Sequence, residues 1–234
     1  MHVPDGFIDA PVSVAAGAVA AAGVAACLKG ARHELDERGA PLAGLVAVFV
    51  FAVQMLNFPV AAGTSGHLLG GTLAAVLVGP FTGALCVAVV LIVQCLFFAD
   101  GGLTALGVNI VDMALVTVLV GYPLFRLLAR VLPRRSRSIV TASFVAALVS
   151  VPAAALAFVL FYAVGGTTSV PLGTVTAAMV GVHVLIGLGE AVITALTVGA
   201  VLAVRPDLVY GTRGVGLPPS SPVPPDTRLE EFRT

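Results

Sequence analysis

The sequence predicts an all-α integral membrane protein: a bundle of about seven transmembrane helices, with the N-terminus outside and the C-terminus in the cytoplasm. Three observations predict it. Of the 234 residues, 59% are hydrophobic and only 10% are charged, with a mean hydropathy of +1.08. Soluble domains carry about 25% charged residues, so this chain cannot cover a water-facing surface. No Asp, Glu, Lys or Arg stands between Arg38 and Asp100, and none between Arg137 and Glu190. The basic residues fall into three clusters, and their spacing sets the number of crossings.

A helix needs about 20 apolar residues to cross the hydrocarbon core. Gly- and Pro-containing breaks divide the apolar runs at AAGTSG (61–66), GP (79–80), DGG (100–102) and VGGTTSVPLG (164–173). The resulting spans lie near 9–28, 41–60, 67–79, 81–98, 104–126, 138–163 and 174–203. The third is short, and a broken or re-entrant element is tolerable only where protein covers it.

Lys29, Arg32 and Arg38 form the first basic cluster. Arg126, Arg130, Arg134, Arg135 and Arg137 form the second, and Arg205, Arg213, Arg228 and Arg233 the third. Cytoplasmic loops collect Lys and Arg, so all three are assigned to the cytoplasm. The 87 residues between Arg38 and Arg126 suit four crossings, and two more fit between the second and third clusters. With one span before the first cluster the total is seven. Residues 1–204 read as the membrane-embedded domain. Residues 205–234, polar and rich in Pro, read as a disordered cytoplasmic tail.

Several function classes lack support. The formal net charge is zero, which argues against nucleic acid as a partner. Cys27, Cys86 and Cys95 lie in apolar runs without a CxxC pair and read as buried thiols. The only lysine, Lys29, precedes Gly30, so the chain has no GxxxxGK[ST] loop. ATP hydrolysis would have to come from another chain. No HExxH or GxSxG occurs either, so the chain does not read as an enzyme. The N-terminus lacks the basic region of a signal peptide, so Met1 is expected to be the mature first residue.

Four histidines remain. His33 lies in the charged stretch ARHELDER and reads as a solvated loop residue. Crossing parity puts His2 and the loop NFPVAAGTSGH, which ends at His67, on one membrane face, although the two are 65 positions apart. Imidazole is a common ligand of late first-row metals. At position 2 it has a further property: the α-amine, the His2 amide nitrogen and His2 Nδ1 can close two fused chelate rings on one ion, with His67 adding a fourth nitrogen. Four nitrogens suit Ni(II) or Cu(II), and a less planar set suits Co(II). The plainer alternative is an exposed terminal residue and a hydrogen-bonded helix-start histidine. Gly63 and Gly66 permit tight turns, Thr64 and Ser65 suit helix N-caps, and Asn57 suits either a bond that orients a liganding imidazole or an interhelical amide contact.

Polar groups inside spans mark function or structure. They include Gln54, Gln94, Asn109, Asp112, and the pair His183 and Glu190, which are seven apart on one helix face. Asp112, His183 and Glu190 also allow a second reading, a stand-alone proton-coupled ion carrier or channel. A third is a non-transporting membrane scaffold. The small residues of AAGAVAAAGVAA (15–26) permit close helix packing.

MHVPDGFI at the start, NFPVAAGTSGHLLGG at 57–71, FADGGLTALGVNIVDM at 98–113 and HVLIGLGEAVITA at 183–195 resemble the CbiM/NikM family. These are substrate-specific (S) components of energy-coupling factor (ECF) transporters, a class of ABC transporter. The resemblance runs from residue 1 to about 204. It implies seven membrane helices and an ion held by the terminal amine, the backbone nitrogen and imidazole of the second residue, and the histidine of GTSGH. On this chain those are Met1, His2 and His67. It further implies uptake of Ni(II) or Co(II) across a prokaryotic cell membrane, with no resident cofactor. The implied partners are a transmembrane coupling protein, two cytoplasmic ATPase subunits and often a small auxiliary membrane subunit. PDG after His2 leans towards the nickel-type pattern, and the choice of ion stays open.

Overall fold

The computed structural model describes residues 1–35, 39–60 and 65–215. Arg38, Gly63, Thr64, Arg228 and Arg233 lie outside the described residues. The chain is a helical membrane bundle, as its composition requires. Helix α1 spans Ala10–Ala31, α2 Gly39–Gln54, α3 Gly71–Val78, α4 Pro80–Phe98, α5 Leu106–Asn109, α6 Thr117–Val131, α7 Ser136–Gly165 and α8 Leu172–Val204. A π-helical segment, Ile110–Val116, joins α5 to α6. A two-residue antiparallel pair, Phe58–Pro59 with Ser65–Gly66, closes the loop before α3.

Among the described residues, five helical stretches are long and apolar enough to cross a membrane: α1, α4, the continuous Leu106–Val131, α7 and α8. Helix α2 is shorter, at 16 residues. The expected third span departs most. Its helix starts at Gly71 rather than residue 67 and has eight residues, about 12 Å of rise. All eight are buried, so protein and not lipid surrounds this short element.

The reason for the late start is local. Residues 67–70 do not coil because the backbone N–H groups of Leu69 and Gly70 donate to the Glu190 carboxylate, at 2.6 and 3.0 Å. Gly70 then turns into α3 with φ of +78°, a conformation that favours glycine. Ser65, expected as a helix cap, lies in the strand pair instead, and α3 begins without a capping bond from its own N-cap side chain. Glu190 on α8 supplies the anion that this helix start favours.

Hydrogen bonds sort the loops into two ends of the bundle. At one end Asp9 N donates to Gly165 O, Gly102 N to Val3 O, and Asn57 Nδ2 to Asp100 Oδ2. At the other, Phe81 N and Thr82 N donate to Glu34, while Arg126 donates to Gly211 O and Arg213 O. The described basic residues belong to the second end. Residues 205–215, the first part of the expected tail, form two 3₁₀ turns, Pro206–Leu208 and Tyr210–Thr212, with Val209 and Val215 buried. Residues 216–234 lie outside the described residues.

Burial is inverted relative to a soluble fold. Leu45, Leu96, Phe97, Leu119, Leu160 and Leu185 are exposed, whereas Gln54, His67, Gln94, Asn109, Asp112, His183 and Glu190 are buried. Small residues bring helices together: the backbone at Gly17 of α1 packs on Gly107 of α5, and Gly83 of α4 on Ala74 and Ala75 of α3. Cys27 and Cys86 are buried and unbridged, and Cys95 is half-buried.

Candidate metal centre

The N-terminal segment does not extend into solvent. Met1 and Val3 are fully buried, and His2 is 4% exposed. Asn109 holds the segment by both backbone groups of Val3: Val3 N donates to Oδ1 at 2.8 Å, and Nδ2 donates to Val3 O at 3.3 Å. Gly102 N adds a bond to Val3 O at 2.8 Å. Asp5 accepts from Thr104 N at 2.8 Å and from Thr104 Oγ1 at 2.6 Å, which holds its carboxyl below the usual carboxylate range. Asp9 caps α1 by accepting from Val12 N at 2.9 Å. The chain end is therefore fastened between the start of α1 and the 99–105 loop.

That fastening brings His2 to His67. Their ring centroids lie 4.6 Å apart with the planes tilted by 30°. His67 is fully buried, and its Nδ1 lies 2.8 Å from Leu68 O. A carbonyl only accepts, so Nδ1 carries the proton and Nε2 keeps a free lone pair. His67 Nε2 is buried without a hydrogen-bond partner. His2 Nε2 also lacks a hydrogen bond and lies 3.5 Å from Asp100 Oδ2. The backbone of Gly101, at φ of +92°, packs against His2, and a Cβ there would lie 2.9 Å from Nδ1.

Electrostatics keep the terminal donors neutral. Burial pushes the Met1 amine down to about 4, against the opposing pull of Asp112 and then Asp100. Burial, followed by the charge of that amine, pushes His2 down to about 3. Nitrogen ligands bind metals through their unprotonated forms. Among the described residues, no three His, Cys, Asp or Glu side chains gather into a cage for an ion.

The other residues singled out in the sequence divide. Asn57 bonds Asp100 at 2.9 Å rather than an imidazole, so it reaches His2 through that carboxylate. Gln54 Nε2 donates to Leu69 O at 2.7 Å, next to the loop that Glu190 holds. His183 Nδ1 lies 2.7 Å from Met179 O, and its Nε2 is buried without a partner. Asp112 has both oxygens buried and unpartnered. Asp100 and Gly101 were missed as site residues, since the sequence presents them only as a DGG break after α4.

The family model described as the cobalt uptake substrate-specific transmembrane region, CbiM, matches residues 2–208. A metal-transport candidate of Haloquadratum walsbyi is 38% identical over 210 residues, covering 90% of this chain and 94% of its own. The cobalt transport protein CbiM of Sorangium cellulosum is 36% identical over 195 residues, 81% of this chain and 85% of that protein. The fused nickel transport protein NikMN of Rhodobacter capsulatus is 30% identical over 230 residues, 93% of this chain but 66% of the fused protein. A crystal structure of a truncated transition metal transporter superposes with a TM-score of 0.79 at 30% identity, covering 87% of this chain and 99% of that one.

Proposed function

This chain belongs to the CbiM family of cobalt-uptake transmembrane regions, and from that premise we propose that it is the substrate-binding membrane component of an ECF-type transporter for Ni(II) or Co(II). The substrate ion is held by four nitrogens: the Met1 amine, the His2 amide, His2 Nδ1 and His67 Nε2. The observation that carries this reading is the buried chain end, which sets the His2 ring 4.6 Å from that of His67, whose Nε2 is buried without a partner.

The donor chemistry supports it. The amine and the His2 ring are neutral at physiological pH, so two lone pairs are available without displacing protons. Binding through the amide nitrogen releases one proton to solvent and leaves an amidate on the ion. With Nδ1 on the metal, His2 Nε2 carries its proton and faces Asp100, which Asn57 holds. A carboxylate that accepts from the far nitrogen of a liganding imidazole fixes its orientation and raises its basicity.

The described basic residues sit at the end of the bundle away from His2. The positive-inside rule then supports an outward-facing site in a prokaryotic cell membrane. The ion enters from outside, the N-terminal segment and the 65–70 loop enclose it, and a coupling protein with two ATPases drives its release inward. A small auxiliary membrane subunit, the counterpart of the extra length in fused relatives, accompanies them.

The test is metal flux in liposomes. With coupling protein and ATPases, Ni(II) or Co(II) uptake requires ATP; this chain alone gives none. Flux through the chain alone would favour the stand-alone carrier built on Asp112, His183 and Glu190.

A further inference from the structure

Asp112 lies wholly inside the protein, and neither carboxylate oxygen has a hydrogen-bond partner. A buried carboxylate without a partner is costly, and inside a membrane protein it marks function by default. Its backbone setting is also unusual. Asp112 sits in the π-helical segment Ile110–Val116, and such segments are rare and frequent at functional sites.

Its chain neighbours place it. Asn109, three residues earlier, grips both backbone groups of Val3, and the carbonyl of Met113, the next residue, would lie 3.5 Å from a Cβ on Gly71, four residues after His67. Asp112 therefore lies on the stretch that runs from the chain end to the start of α3.

Charge then gives the residue a task. A divalent ion bound by an amine, one amidate and two neutral imidazoles leaves a net charge of +1 in a site closed to water. We infer that Asp112 is the counter-ion of the loaded site, a positioning residue whose carboxylate neutralises the ion and accepts an N–H from the metal-bound Met1 amine. The inference rests on the terminal-chelate reading above. It assigns to Asp112 neither direct ligation nor proton transport.

The experiment uses the full chain with its native N-terminus and Ni(II) alone as the probe. The dissociation constant, the visible spectrum at saturation and the thermal unfolding of the metal-free form are compared for wild type, Asp112→Asn and Asp112→Glu. Asp112→Asn is expected to bind roughly 10- to 100-fold more weakly, as outer partners of ligands do. Its saturated spectrum should be unchanged, because the four nitrogens remain. Its metal-free form should unfold no earlier than wild type, because an amide of the same shape replaces a buried carboxyl that has no partner. Asp112→Glu should recover part of the affinity.

Wild-type affinity in Asp112→Asn overturns the counter-ion role, as does equal weakening in the Asn and Glu variants. Weakening accompanied by a changed spectrum or early unfolding also overturns it, since a structural role is then sufficient. A wild-type chain that binds no Ni(II) overturns the chelate reading itself.

Discussion

The imidazole of His67 lies against that of His2, with centroids 4.6 Å apart across 65 positions of sequence. His67 Nδ1 is committed to Leu68 O, which leaves Nε2 buried without a partner. Two elements far apart in the chain thus bring two buried imidazoles together.

Replacing His67 by Ala removes one of those donors. Loss of outer partners alone costs metal sites about 10- to 100-fold in affinity, so His67→Ala is expected to weaken Ni(II) or Co(II) binding by at least roughly tenfold. Competition against a chelator of known affinity measures it. An unchanged constant would remove His67 from the donor set.

Gly101→Ala acts on the other ring. A Cβ at this position would lie 2.9 Å from His2 Nδ1 and 3.0 Å from Asn109 Nδ2, and the backbone sits at φ of +92°. The strain is expected to cost about 1–3 kcal/mol of stability and to weaken metal binding with it. Chemical or thermal unfolding in detergent, with and without metal, reads both effects. A variant that unfolds and binds like wild type would show that Gly101 does not shape the site.

Glu190 separates a scaffold role from a relay. Its carboxylate receives Leu69 N and Gly70 N, two and three residues after His67. Glu190→Gln removes the charged acceptor and is expected to destabilise the protein by about 1–3 kcal/mol while weakening metal binding. A proton relay predicts another pattern, in which stability and binding persist and only transport is lost.

Much of the fold was legible because the bilayer makes long apolar runs and excludes charge from them. The segments read near 9–28, 81–98, 138–163 and 174–203 correspond to α1, α4, α7 and α8 within a few residues. The short third segment was harder. Its start is set by Glu190, 119 positions beyond Gly71, and periodicity carries no trace of such a bond. The π turn around Asp112 was equally hidden, since its residues read as ordinary apolar helix. His2 and His67 stood out through their position and the parity of crossings. Asp100 did not, because its use depends on the chain end folding back under the 99–105 loop.

Acidity should act through the buried terminus. The Met1 amine lies at about 4 instead of 8.0, and His2 at about 3 instead of 6.5, both chiefly through burial. Each is a base with a folded pKa below its unfolded value, so the unfolded chain takes up the proton first. Stability of the metal-free protein is then expected to fall as pH drops from about 8 towards 4. At pH 7 the folded site already holds neutral donors, so metal binding should release about one proton, that of the amide. A free MHVPDG peptide, with ordinary pKa values, should release about two. Calorimetry in buffers of different ionisation enthalpy counts them, and two or more from the protein would contradict the neutral-donor site.

Terminal chelation is tested most directly by metal binding to the purified protein with its native N-terminus, beside the same chain carrying one extra residue before Met1. The native chain is expected to bind one Ni(II) or Co(II) ion and to unfold at a higher temperature when loaded, by mass action on the folded state. The extended chain, which keeps His2 and His67 but moves the amine away, is expected to lose both the binding and the thermal shift. Equal affinity in the two chains would contradict a site built on the chain end.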